Sequence, residues 1–173
     1  MTTLHCTLKL AKRIPFALVE KPLPSTNKLG DWSANTFNIG RFPCIIITNE
    51  LTLFTVLVLF KDIHTIWERF LSSLEELLHS VAVPSLSIQT ELEEMQLVQF
   101  TREANRRTLG SMNDFVHLVR ANIYQDPELT LNEMSLRLSE VPCCPLKYAY
   151  PREAILKVIT TSSQMTVTQK GRT

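Results

Sequence analysis

Along the first sixty residues, apolar and polar positions alternate in short runs, and after that they repeat at helical spacing. "TTLHC" reads as a short first strand and "TLKLAKRI" as a short helix that Thr7 can cap. Pro15, Pro22, Pro24, Asn27 and Gly30 then mark a surface loop. In "WSANTFNI", Trp32, Ala34, Thr36 and Asn38 fall on one side and Asn35, Phe37 and Ile39 on the other, a strand alternation. "GRFP" turns the chain into the β-branched run "CIIIT", and "NEL" turns it again into "LFTVLVLF". Two short turns joining three strand-like runs predict an antiparallel meander.

From Ile63 the period changes. Ile63, Ile66, Trp67, Phe70, Leu71, Leu74, Leu77, Leu78 and Val81 form a wide apolar stripe, with Glu68, Arg69, Glu75 and Glu76 opposite. Pro84 ends this helix and "SLSIQTELEEM" starts a second one, around which Glu91, Glu93 and Glu94 spread as a solvated face. "LVQFT" reads as a last strand. In "RRTLGSMNDFVHLVRANIY", Gly110 suits a turn and Ser111 a helix cap, with Asp114 three residues on in a capping-box arrangement. A helix is therefore expected from Met112 to Tyr124, with Met112, Phe115, Val116, Val119 and Ile123 on its inner stripe. "LTLNEMSLRLSE" adds a shorter helical segment, "VPCCPLKYAYP" is too proline-rich for regular structure, and Pro151 opens a final helix. "TTSSQMTVTQKGRT" has no buried pattern.

The expectation is one α+β domain over residues 1–160 with a flexible tail over 161–173. A small, mostly antiparallel sheet would pack against the amphipathic helices Ile63–Val81 and Met112–Tyr124. At 173 residues such a chain buries enough surface to fold without staples. A formal net charge of +1 offers no global attraction to nucleic acid or to an anionic membrane, so any such contact needs a local patch. The ten-residue run Leu51–Phe60 is about half of what a helix needs to span a bilayer, so no membrane role is expected and the cytoplasm is the default. Cys6, Cys44, Cys143 and Cys144 make no C-x-x-C pair, and the histidines are not at zinc-ligand spacings. No metal site and no cofactor follow from these spacings, and free thiols in a reducing compartment are the expected state.

Candidate chemistry gathers around the "RRTLGSMNDFVHLVRANIY" helix. Asn113, His117, Arg120 and Tyr124 share one of its faces, and Arg102, Arg106 and Arg107 arrive just before its expected start. A helix N-terminus flanked by arginines can hold a phosphate or carboxylate, although Asp114 would compete with that anion. A solvated polar face beside a basic loop is the alternative. Phosphate loops, dinucleotide fingerprints, zinc-protease motifs and nucleophile elbows are all absent, and only 4 glycines are present. A dyad of Cys6 or Cys44 with His117 could be assembled only in space.

The chain resembles an uncharacterised bacterial family of unknown function. The resemblance rests on "CT-x-KL" (Cys6, Thr7, Lys9, Leu10), on "GDW-x-AN" (Gly30, Asp31, Trp32, Ala34, Asn35), and on "R-x-LGSMND" (Arg107 and Leu109 to Asp114). It covers Leu4 to Tyr124. It implies a bacterial or mobile-element setting and suggests that Trp32, Asn35, Arg107 and Asn113 meet in space. The candidate binding residues are therefore Trp32, Asn35, Arg106, Arg107, Ser111, Asn113, His117 and Arg120. The favoured expectation is a non-enzymatic module that uses a sheet edge or the Arg107–Tyr124 face. Its partner would be a protein, a second copy of the chain, or a nucleic acid or phosphate near Arg106–Arg107. A small enzyme acting on a phosphate-containing substrate through Arg106, Arg107, His117 and Arg120 is the alternative.

Overall fold

The computed structural model describes residues 1–102 and 105–161. It is an α+β fold built on a five-stranded sheet of order β4-β3-β2-β1-β5. The strands are β1 (Thr2–Cys6), β2 (Trp32–Ile39), β3 (Phe42–Asn49), β4 (Thr55–Leu59) and β5 (Val98–Thr101). The helices are α1 (Leu8–Ala11), α2 (Ile66–Ser80), α3 (Ser85–Glu94), α4 (Arg106–Gln125), α5 (Leu131–Ser139) and α6 (Pro151–Thr161). The expected tail lies outside the described residues beyond Thr161.

The meander is present: β2, β3 and β4 pair antiparallel, with Ala34 opposite Ile47 and Ile46 opposite Leu57. β1 departs from it. This strand runs parallel to both neighbours, with Leu4 level with Trp32 on β2 and with Phe100 on β5. Parallel pairing needs long crossovers, here the proline-rich loop before β2 and the whole stretch from β2 to β5. No periodicity within "TTLHC" could have shown it.

Alternation assigns each strand residue to one of two faces. Leu4, Cys6, Trp32, Ala34, Ile45, Ile47, Val56, Val58 and Phe100 pack with α1, α2, α3 and α6 in the larger core, centred on Trp32 edge-on to Phe70 at 5.0 Å. Phe37, Cys44, Ile46 and Leu57 face Met112, Phe115 and Val119 of α4 and Met134 and Leu138 of α5. Both outer strands are occupied. On β4, Leu57 N–H donates to Ser135 Oγ at 3.1 Å and Arg69 donates to Leu59 O at 3.0 Å. On β5, Val19 N–H donates to Phe100 O at 2.7 Å.

Helix α4 begins six residues before the expected Met112, at Arg106. Its cap is Asn105, whose side chain accepts from Arg107 N–H at 3.0 Å and from Thr108 N–H at 3.4 Å. The buried stripe starts at Thr108 and continues through Met112, Phe115 and Val119, so packing carries the helix through Gly110. Ser111 is thus interior to the helix, and Gly110 is not among the glycines of positive φ.

Glu91 also departs from expectation: only Glu93 and Glu94 of that trio are exposed. Glu91 is buried and accepts Leu29 N–H at 2.7 Å and Lys28 N–H at 3.2 Å, closing the loop before β2. Burial pushes its carboxyl pKa up, against the opposing pull of those two N–H donors.

Candidate functional site

Three surfaces bear on function: the outer face of α4, the N-terminus of α4, and the polar part of the sheet beside it. On the outer face, Arg106, Asn113, His117, Arg120 and Tyr124 are all exposed, as their spacing predicts for one side of a helix. Tyr124 is 89% exposed, an aromatic ring with no packing role. Two guanidinium groups, an amide, an imidazole and a phenol therefore line one solvent-facing stripe.

The N-terminus is less open. Asn105 takes two of the first free N–H groups, and the Arg107 guanidinium donates to the Pro145 carbonyl in the short 3-10 turn Cys144–Leu146 after α5. Arg106 and Arg107 are helical residues rather than a basic loop. Asn105 Nδ2 also donates to Glu50 at 3.1 Å, which brings a carboxylate to the helix start. The protein's own groups fill the place where a bound anion would sit. Ser111, half-buried within the helix, has no capping role there.

Trp32 and Asn35 point to opposite sides of β2. Trp32 is fully buried in the core beneath α2, on the other face of the sheet from α4. Asn35 accepts the Thr7 hydroxyl at 2.8 Å, tying two of the resembling segments together. Trp32, Arg107 and Asn113 are consequently not brought into one cleft. The Cys6 and Cys44 thiols do not form the dyad with His117 either. Burial raises the pKa of Cys6 to about 12 and of Cys44 to about 11, while His117 stands on the exposed stripe. Cys143, also raised to about 11, is buried near Asp114.

The sheet residues facing away from the larger core include a polar row. Across the strands, Thr101, His5, Ser33, Thr48 and Thr55 stand side by side in register. Thr48 and Thr55 share a hydrogen bond at 2.8 Å, and Ser33 Oγ donates to Glu50 Oε1 at 2.5 Å. His5 Nε2 lies 3.1 Å from Asp31 Oδ2, and the Ser25 hydroxyl donates to the other oxygen of that carboxylate. The side chains of His5 and Asp31 are 14% and 36% exposed, so the group is reachable from solvent at its rim.

Sequence reasoning passed over His5, Asp31 and Glu50. They lie on three segments that only the parallel register of β1 brings together. The available signal was local: in "TTLHC", Thr3 and His5 alternate with Leu4 and Cys6, which places a histidine on the face away from the apolar positions.

These features define a small α+β domain with one apolar core on one side of its sheet and, on the other, a second apolar core beside a buried polar row. The chain belongs to the family described as Domain of unknown function (DUF6933), whose model matches residues 3–154. The match extends past Tyr124 through α5 and into α6. No curated protein and no solved structure matches the chain. Among the described residues, no helix is long and apolar enough to cross a membrane.

Proposed function

We propose that this domain is a non-enzymatic binding module of a bacterial or mobile-element protein, acting in the cytoplasm and holding a protein or nucleic-acid partner through the outer face of α4. The observation that carries this reading is the exposed stripe Arg106, Asn113, His117, Arg120 and Tyr124. Guanidinium groups recognise phosphate and carboxylate, and an exposed ring gives a base or a second side chain something to stack on. The sheet edges favour it less, because β4 and β5 already spend edge groups on Ser135, Arg69 and Val19.

An enzyme acting on a phosphate-containing substrate is disfavoured, since Arg107 is held by Pro145 O and the Cys6 and Cys44 thiols are buried and protonated. The reading is tested by titrating labelled single-stranded RNA and DNA at several salt concentrations. Loss of binding in Arg106→Ala/Arg120→Ala, with a shallower salt dependence, is the expected result. Binding unchanged in that variant would remove this face. Turnover of a nucleotide panel, abolished by His117→Ala in a folded protein, would favour the enzyme.

A further inference from the structure

We propose that His5, Asp31 and Glu50 form a site for one divalent cation of the Mn²⁺ type. The imidazole comes from β1, one carboxylate from the residue before β2, and the other from the turn after β3. One ligand atom from each lies within 4.8 Å of the others. Ligands bound about 2.1 Å from one ion, at right angles to each other, stand about 3 Å apart. The 3.1 Å hydrogen bond between His5 Nε2 and Asp31 Oδ2 already matches that separation, and Glu50 lies within 4.8 Å of both.

The groups behind the ligands support the same reading. Ser25 holds the second Asp31 oxygen, while Ser33 and Asn105 donate to the two Glu50 oxygens. Outer-shell donors of this kind fix carboxylate orientation around a metal and leave further lone pairs for it. Among the described residues, no lysine or arginine forms a salt bridge with Asp31 or Glu50. A dication supplies the charge they lack. One imidazole with two carboxylates suits a hard or borderline ion, and the nearest thiol on β1, Cys6, points to the opposite face of the sheet. The site stands on groups separate from the outer face of α4 and succeeds or fails independently of the partner proposed there.

The test uses the full chain after chelation and dialysis, with Mn²⁺ as the probe because thiols bind it poorly. Calorimetry should give one saturable equivalent, the melting temperature should rise with Mn²⁺ concentration, and Glu50→Gln and His5→Ala should each weaken binding by about tenfold or more. Should a variant fail to fold, NMR of the wild-type protein decides: substoichiometric Mn²⁺ should broaden the His5 ring signals before those of His64, His79 and His117. No saturable binding, binding retained in both folded variants, or broadening centred on the other histidines overturns the proposal.

Discussion

The two faces of the sheet were built to different ends. Beneath α2, α3 and α6, most strand residues are apolar, and Trp32, Phe54 and Phe70 are fully buried. Under α4 and α5 the apolar patch spans β2, β3 and β4, while β1 and β5 present Thr3, His5, Gln99 and Thr101, in line with Ser33, Thr48 and Thr55. An all-apolar face gains stability roughly in proportion to the area it removes from water. A buried polar row gains little and demands that each group be paired. The row meets that demand with its own partners, Thr48 with Thr55 and Ser33 with Glu50.

The contrast is broken most severely from the apolar side. Trp32→Ala should cost about 3–5 kcal/mol by chemical denaturation, the range for a large aromatic removed from a packed core. A cost under about 1 kcal/mol would mean that the indole is not central to this core.

Glu91 comes next, being a polar group set among apolar ones. Removing its carboxylate in Glu91→Ala leaves Leu29 and Lys28 N–H without their acceptor and should cost about 1–3 kcal/mol. The pH dependence has a definite sign. Its folded pKa is raised, so the folded state holds the proton more tightly than the unfolded state does. The ionisation penalty is complete above the raised folded pKa and gone below the ordinary value of 4.5. Acidification through that window should therefore improve the stability of the wild-type protein relative to the non-titrating Glu91→Gln, as pH-dependent melting would show.

Smaller effects distinguish the two possible starts of α4. Asn105→Ala should cost about 1 kcal/mol through loss of the cap, whereas Ser111→Ala should stay within about 0.5 kcal/mol. The reverse order would restore the cap at Ser111. Gly110→Ala should stabilise by about 0.5–1 kcal/mol, since a Cβ there meets nothing within 4 Å and the residue is helical. Destabilisation would show that Gly110 is needed for its turn-forming freedom.

What could be read from the sequence follows the range of the interactions. Strands β2 to β4 were legible because side-chain alternation and short turns are local, and the same holds for the stripe of α2. The start of α4 was misplaced because "GS-x-x-D" imitates a cap, while the true cap, Asn105, gives no capping-box partner three residues on. The burial of Glu91 was invisible, since its partners are backbone N–H groups 62 and 63 residues away. On α4, the shared face of Asn113, His117, Arg120 and Tyr124 was legible from helical spacing alone, whereas Arg106 joins it only because the helix starts earlier than expected. The positions of Trp32, Arg107 and the His5–Asp31–Glu50 group depended on a register and on long-range contacts that no window of sequence contains.

The placement of β1 between two parallel neighbours also sets a schedule. Its partner Val98 lies far along the chain from Thr2, and the Gln99–Thr3 contact beside it spans 96 residues. A nascent polypeptide can dock Leu4 against Trp32 early, but it must carry one bare strand edge until Val98–Thr101 has left the ribosome. Closure of the sheet is thus a late event in synthesis, and β1 spends that interval exposed to pairing with the wrong chain.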